Sequence, residues 1–174
     1  MLVKNGGPIL VKTDSPALMN TKGYATPEVE HTYARARELC QQVGETPQLF
    51  PVLWGLLYFH LARADFKTAR DLGDQCLGLA QRMQDPALLL LAHRVLGQTL
   101  YFLGEVAQAQ AHLEQGMALY NPQQHRPLAL HYAQDPQVAC QTWAALLLWH
   151  LGYPDQARQR SHEALTLAQE LSHP

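Results

Sequence analysis

Three stretches of the chain repeat one short pattern, in which a small residue at a turn is followed five positions later by an alanine. They are 64–69, 104–109 and 152–157. The alanines Ala69 and Ala109 are 40 residues apart, and Ala109 and Ala157 are 48 residues apart. A recurring interval of this length is typical of arrays in which each repeat is one pair of helices.

Apolar residues recur every three or four positions between the Pro and Gly boundaries, and strand signals are scarce, so the pattern predicts an all-α fold. The predicted helices are 27–43, 47–63, 66–84, 86–103, 106–120, 136–151 and 154–171. Most connections span two to four residues, which predicts that consecutive helices pair in antiparallel fashion.

The segment 121–135 contains two prolines and no apolar stripe, so it is interpreted as an ordered insertion loop that accounts for the longer second interval. Residues 1–15 have no helical pattern and are predicted to be extended or disordered. The repeat domain then covers 16–174. It divides into a partial first repeat at 16–43 and full repeats at 47–84, 86–120 and 136–171.

Small residues are predicted to hold the repeats together. A glycine in the middle of a helix costs about 1 kcal/mol in propensity, so Gly97 indicates a close approach of two helices. A glycine at a turn ends a helix at low energetic cost, because it has no Cβ to disfavour the left-handed backbone. The structural repeat positions are Ala69, Gly97, Gly104, Ala109, Gly152 and Ala157.

Composition excludes several classes of partner. The net charge of −2 gives no basic field for nucleic acid or an anionic membrane. The N-terminus lacks the apolar core of a signal peptide, and runs such as 87–92 are too short to span a bilayer. Three distant cysteines, Cys40, Cys76 and Cys140, argue against a disulfide framework. A soluble, cytoplasmic protein is expected.

No catalytic motif is present: the sequence has no phosphate-binding loop, dinucleotide-binding turn, nucleophile elbow or His-Glu-x-x-His pair. Nine histidines are scattered, and no two lie four residues apart on one helix. His125, His131 and Asp135 share the insertion, but their spacing matches no known ligand set, so a polar loop is favoured over a metal site. No catalytic residue, cofactor or metal is predicted.

Leu96-Gly97, Gly104-Glu105, Ala109 and Leu113 follow the pattern of tetratricopeptide repeats, with Leu57 and Ala145 at the glycine position of the other two full repeats. The interval between the repeats of this chain is longer than the standard tetratricopeptide unit. The runs 96–105, 111–116 and 151–158 resemble the helical-repeat regions of large bacterial signalling ATPases and of ATPase–adenylate cyclase fusion proteins. The resemblance covers about 16–174. It implies a right-handed superhelical array of antiparallel helix pairs, forming a scaffold or sensor region of a longer protein.

The resemblance also implies a concave groove lined by the first helix of each pair. The turn alignment assigns to this groove Trp54, Tyr58, Arg94, Gln98, Tyr101, Thr142, Trp149 and His150. Aromatic residues and arginine are enriched at binding hot spots, which favours a peptide or protein partner. Trp54, Tyr58 and Trp149 fit the core of a helix pair at least as well. Arg94 is harder to explain as core, because burying an unpaired polar group is costly.

The sequence therefore favours a non-catalytic interaction scaffold or regulatory sensor, contacting a peptide or another domain of the parent protein. An alternative is an effector-binding domain that closes over a small molecule and switches a parent ATPase or cyclase. An enclosed pocket with convergent polar groups would favour this alternative. Neither end of the repeat array resembles a polar cap, so self-association through apolar ends is also expected.

Overall fold

The computed structural model describes residues 31–38, 49–132 and 134–171, without the side chains of Leu130 and His131. The predicted extended segment 1–15 and most of the partial repeat 16–43 lie outside the described residues. Residues 31–38 are helical, and no strand occurs in the described part. The further helices are α1 (Leu49–Ala62), α2 (Phe66–Met83), α3 (Pro86–Leu103), α4 (Val106–Leu119), α5 (Pro122–His125), α6 (Leu128–Tyr132), α7 (Pro136–His150) and α8 (Pro154–Glu170).

The predicted all-α fold is confirmed, and the insertion predicted as a loop contains the two short helices α5 and α6. Helix α5 begins at an Asn-Pro step, in which the side chain of Asn121 accepts a hydrogen bond from the amide of Gln123 at 3.0 Å. A capping residue followed by proline at the first helical position favours a helix start even when the helix is only one turn long.

Aspartate followed by proline also starts α3 and α7. Asp85 accepts hydrogen bonds from the amides two and three residues later, at 2.9 and 3.2 Å. Asp135 does the same at the start of α7, at 2.9 and 3.1 Å. Each carboxylate satisfies amides that have no partner within the helix, and the proline occupies a position that needs no donor.

The chain leaves four helices through the same backbone turn. A residue one or two positions after the end of each helix is left-handed: Ala64 (φ 58°), Gln84 (φ 52°), Gly104 (φ 75°) and Gly152 (φ 84°). The amide of the next residue then bonds to the carbonyl five positions back, at 2.9–3.3 Å, which is the Schellman arrangement. Three of these residues are the turn positions of the sequence repeat, so the repeated pattern folds into a repeated backbone.

The chain divides into two compact units, Met1–Leu72 and Gly73–Pro174. In the described part of the first unit, Phe50, Leu57 and Phe59 of α1 are fully buried. Tyr33 from the helical stretch 31–38 packs against Gly55, where an added Cβ would overlap its ring. Glycine is therefore the residue that allows this contact.

In the second unit α4 packs on α3, α8 packs on α7, and α7 contacts both α3 and α4. Helices α3, α4 and α7 share a buried cluster that consists of Leu96, Leu100, Ala109 and Leu147. The close approach predicted at Gly97 is present, because an added Cβ would lie 2.6 Å from Cγ of Leu113. The predicted packing alanines Ala69, Ala109 and Ala157 are all buried.

Helix α3 is apolar on most of its circumference. Its 18 residues have a mean hydropathy of 1.2, which meets the length and composition expected of a membrane span. More than half of the helix is buried inside the protein, however, and a core helix of a soluble protein has the same properties. The burial of α3 is thus consistent with a soluble protein.

Candidate functional site

The first two residues of the predicted groove, Trp54 and Tyr58, lie on α1 in the first unit. Trp54 is buried and stacks on Phe50, with 6.0 Å between ring centroids. The ring of Tyr58 lies 5.2 Å from that of Trp54, and Tyr58 is half-buried. Trp54 thus contributes mainly to the interior of its unit, the second of the two roles that the sequence left open.

Arg94 lies in the interior of the second unit and is only 2% exposed. Its Nη2 donates a hydrogen bond to Oε1 of Gln134 at 2.7 Å. A buried guanidinium needs such partners, because an uncompensated charge in the interior is costly. The partner comes from the end of the insertion, 40 residues away. Arg94 therefore anchors the insertion and is not available on an open surface.

The insertion is further held by a buried polar cluster. The hydroxyl of Tyr120 donates to Oδ2 of Asp135 at 2.8 Å, while the other oxygen of Asp135 caps α7. Nδ1 of the buried His125 accepts the backbone amide of Asn121 at 3.0 Å. Burial and the Asp135 carboxylate raise the pKa of Tyr120, and burial lowers the pKa of His125. These bonds stabilise the fold of the segment.

His125 is engaged by the backbone, which leaves Nδ1 unavailable to a metal. Within the described residues, no group of three or more His, Cys, Asp or Glu side chains could hold a metal ion. The thiols of Cys76 and Cys140 are buried, and burial raises the pKa of each to about 12. At neutral pH they are therefore protonated and unreactive.

Tyr101 and His150, two further predicted groove residues, contact each other. Their ring centroids are 5.5 Å apart, and the ring of Trp143 lies 5.5 Å from that of Tyr101. Nδ1 of His150 lies 2.8 Å from the carbonyl of Leu146 and 3.3 Å from the Tyr101 hydroxyl. A carbonyl only accepts, so Nδ1 carries the proton. Gln98, one turn earlier on α3, is half-buried.

An open groove of about 500 Å³ runs between α7 and α8 and is mostly apolar. We call it the α7/α8 groove; it is lined by Thr142, Ala145, Leu146, Trp149, Pro154, Asp155, Ala157, Arg158 and Ser161. Trp149 is 63% exposed and Leu146 is 40% exposed. Thr142 and Trp149 are thus the predicted residues that the structure brings together at one accessible surface.

The charged residues of the α7/α8 groove pair with each other. Arg158 Nη2 lies 3.1 Å from Oδ1 of Asp155, and both side chains are highly exposed. An ion pair so exposed contributes little to stability. The feature of the groove best suited to binding is therefore its apolar wall of Leu146 and Trp149, because burying apolar side chains against a partner is favourable.

The α8 side of the groove was missed by the sequence prediction, which assigned binding residues only to the first helix of each pair. The turn alignment contains a signal for it. Shifting the α4 positions Val106, Ala109 and Leu113 by the 48-residue interval gives Pro154, Ala157 and Ser161, all of which line the groove.

No family model matches the chain, and no curated protein or solved structure is significantly similar to it. The resemblance to tetratricopeptide repeats, carried by residues such as Gly97, Gly104 and Ala109, therefore stays a prediction.

Proposed function

We propose that the chain is a non-catalytic protein-interaction scaffold or regulatory sensor module that binds a peptide or a partner domain. The observation that carries this proposal is the open, apolar α7/α8 groove, with Leu146 and the largely exposed Trp149 on its wall. Exposed large apolar side chains beside a concave surface mark interaction sites, since leaving them in water costs free energy that a partner recovers.

The finer architecture belongs to the same proposal. The repeated Schellman turns at Ala64, Gly104 and Gly152, together with pairs of consecutive packed helices, support a right-handed superhelical array of the tetratricopeptide kind. We further propose that the module belongs to a larger cytoplasmic signalling protein related to bacterial ATPases or ATPase–cyclase fusions. Other domains of that protein are then candidate partners.

The shape of the groove favours a macromolecular partner over the small-molecule effector. Small ligands are usually enclosed, with a few polar groups converging on them. The α7/α8 groove is open to solvent, and its two charged residues, Asp155 and Arg158, pair with each other. Such a surface suits a chain that lies along it.

A non-catalytic role is supported by the position of the titratable groups. The described groups whose pKa values shift most are Cys76, Cys140, Tyr120, Tyr132 and His93. None of these five lines the α7/α8 groove. Burial is the main cause of each shift, so the shifts reflect packing of the fold, whereas catalytic groups need access to a substrate.

Peptide display tests the proposal. A library of random peptides of about 16 residues, long enough for about four helical turns, is selected against the wild-type protein. The selected peptides are then measured against Leu146→Asp and against the matched control Leu165→Asp. Both leucines are exposed, at 40% and 55%, but only Leu146 lines the groove.

We expect peptides that lose roughly tenfold or more in affinity with Leu146→Asp and keep it with Leu165→Asp, because a charge on the apolar wall must be desolvated. Circular dichroism verifies that both variants stay helical. If no selected peptide discriminates Leu146→Asp from wild type, the groove is not the binding surface and the proposal fails.

A further inference from the structure

Five ring side chains on α3 and α7 form a partly exposed patch. The rings of Tyr101, Phe102 and Trp143 contact one another, with centroids 5.4 or 5.5 Å apart. His150 lies against Tyr101 at 5.5 Å. Phe102 is 44% exposed and Trp149 is 63% exposed. We call this set the aromatic surface; its members are Tyr101, Phe102, Trp143, Trp149 and His150.

The aromatic surface continues into the α7/α8 groove. Four side chains recur at intervals of three or four positions along α7 and therefore share one face of the helix: Trp143, Leu146, Trp149 and His150. Two of them, Leu146 and Trp149, also form the apolar wall of the groove. A ligand that lies in the groove therefore has the rings of α7 beside it.

Both indoles of the aromatic surface present a free N–H. An indole nitrogen donates one hydrogen bond and accepts none. Nε1 of Trp143 and Nε1 of Trp149 have no acceptor among the residues that the structure describes. Trp143 is half-buried, but the buried polar atoms without a partner belong to other residues, so its Nε1 reaches solvent. Each indole is thus available to donate to a ligand.

The hydroxyl of Tyr101 is a third donor. Nδ1 of His150 carries its proton, because it donates to the carbonyl of Leu146 at 2.8 Å. A protonated nitrogen cannot accept, so the Tyr101 hydroxyl, 3.3 Å away, accepts from Nδ1 and keeps its own hydrogen for another acceptor. Nε2 of neutral His150 is the single acceptor on these rings. The aromatic surface therefore offers mainly donors.

This set of donors selects the backbone conformation of a ligand. The backbone of an α-helix uses its carbonyls internally and would cover the donors without bonding them, which is costly. A β-strand needs a sheet edge to pair with, and the described part of the chain has no strand. A polyproline II segment has no internal hydrogen bonds, so its carbonyls stay open, and its prolines bring no N–H.

Spacing and charge fit the same ligand. Trp143 and Trp149 are six positions apart, which is about 9 Å along the axis of α7. One turn of polyproline II has about the same length, roughly 9 Å. The charged residues of the groove, Asp155 and Arg158, pair with each other, so the ligand needs no charge of its own.

We infer that the aromatic surface and the α7/α8 groove together bind a proline-rich segment of a partner protein in the polyproline II conformation. Proline rings pack on the aromatic rings, while the indole N–H groups and the Tyr101 hydroxyl donate to backbone carbonyls of the ligand. The inference rests on the proposed function and names the class of peptide.

Nuclear magnetic resonance of the full chain with decaproline tests the inference. The chain has three tryptophans and therefore three indole N–H signals. Trp143→Phe and Trp149→Phe assign two of them. The third belongs to Trp54, which is buried in the first unit and serves as the internal control. A flexible Gly/Ser peptide of the same length is the control ligand.

We expect decaproline to move the signals of Trp143 and Trp149 downfield, because their protons enter hydrogen bonds, and to leave that of Trp54 in place. The Gly/Ser peptide should move none of them, since ordering a flexible chain costs entropy. Removing one donor, in Trp149→Phe or Tyr101→Phe, should weaken decaproline binding about two- to tenfold. Leu165→Asp, outside the aromatic surface and the groove, should bind as wild type does.

Other results overturn the inference. If about 1 mM decaproline moves neither signal, or if wild type, Trp149→Phe and Tyr101→Phe bind it equally, the inference is wrong. Displayed peptides that depend on Leu146 but lack proline would then leave the proposed function standing with another ligand. If no displayed peptide depends on Leu146, both fall. If dilution of the chain alone moves both signals, a second copy covers the surface and the proline-rich partner is refuted.

Discussion

Replacing Gly97 by alanine tests the close approach of α3 and α4. Alanine is the better helix former by about 1 kcal/mol, so propensity alone predicts a more stable protein. The added Cβ would, however, lie 2.6 and 2.7 Å from Cγ and Cδ2 of Leu113, and 3.3 Å from the carbonyl oxygen of Ala109. Leu113 is almost completely buried and has no room to yield. Overpacking of this kind costs about 1–3 kcal/mol.

The added Cβ would meet the branch carbon of Leu113 and a backbone oxygen of Ala109, and neither is the flexible end of a side chain. We therefore take the upper end of the overpacking range. The expected net loss for Gly97→Ala is then about 2 kcal/mol in the free energy of unfolding, measured by urea denaturation. Gly78→Ala is the matched control. Its added Cβ would meet only the flexible end of Arg82, at 3.3 Å, so this variant should gain up to about 1 kcal/mol.

A double-mutant cycle identifies the cause. If the loss comes from the collision with Leu113, Gly97→Ala should cost much less when Leu113 is already alanine, because the colliding atoms are gone. An unchanged cost in that background would show that Leu113 is not responsible. If Gly97→Ala proves as stable as wild type, or more so, the close packing of the two helices is refuted.

Three further predictions concern charge and backbone. The pKa of His93 is lowered to about 4, mainly by burial and also by His112, whose Nδ1 lies 2.9 Å from Nδ1 of His93. Between pH 4 and 6.5 the unfolded chain therefore binds a proton at this residue, whereas the folded chain does not. Stability should therefore fall by roughly 2 kcal/mol as the pH drops from about 7 to about 5, and urea denaturation of His93→Gln should show a smaller fall. Ala64→Gly should raise the melting temperature and Gly104→Ala should lower it, each corresponding to roughly 1 kcal/mol, since both positions are left-handed. Asp135→Ala should lose about 2–4 kcal/mol in denaturation, because the cap of α7 and the acceptor of the Tyr120 hydroxyl disappear together, and Asp135→Asn should lose clearly less.

Each of these predictions has its own contradicting result. Equal pH dependence in wild type and His93→Gln, with the exposed His162→Gln as control, would remove His93 as the cause. Equal and same-signed shifts for Ala64→Gly and Gly104→Ala would contradict the shared turn. Equal losses for the alanine and asparagine variants at Asp135 would show that its hydrogen bonds do not matter.

The helix pattern was predictable because its signals are local. Helix α3 was predicted at 86–103 and is observed at Pro86–Leu103, since Asp-Pro marks its start and Gly104 its end. The packing role of Gly97 followed from the cost of glycine inside a helix. The short helix α5 was missed, although its Asn-Pro start is the same kind of signal.

The candidate site was predictable only in part, because it depends on contacts between distant segments. The hydrogen bond from Arg94 to Gln134 joins residues 40 positions apart, and no local sequence pattern indicates it. Thr142 and Trp149 were assigned to a binding surface and do lie together in the α7/α8 groove. Whether Trp54 is core or surface depended on the neighbours of α1, which its own apolar sequence does not specify.

The unequal burial of α3 and α8 has a consequence for how the groove responds to a partner. Ten residues of α3 are buried, but on α8 only Ala157 and Ala164 are. Amide protons of α8 should accordingly exchange with solvent through local openings well before those of α3. Because α8 forms one wall of the α7/α8 groove, binding and the closing of these openings are linked equilibria. Occupancy of the groove will thus register as slowed exchange along α8, with little change in α3.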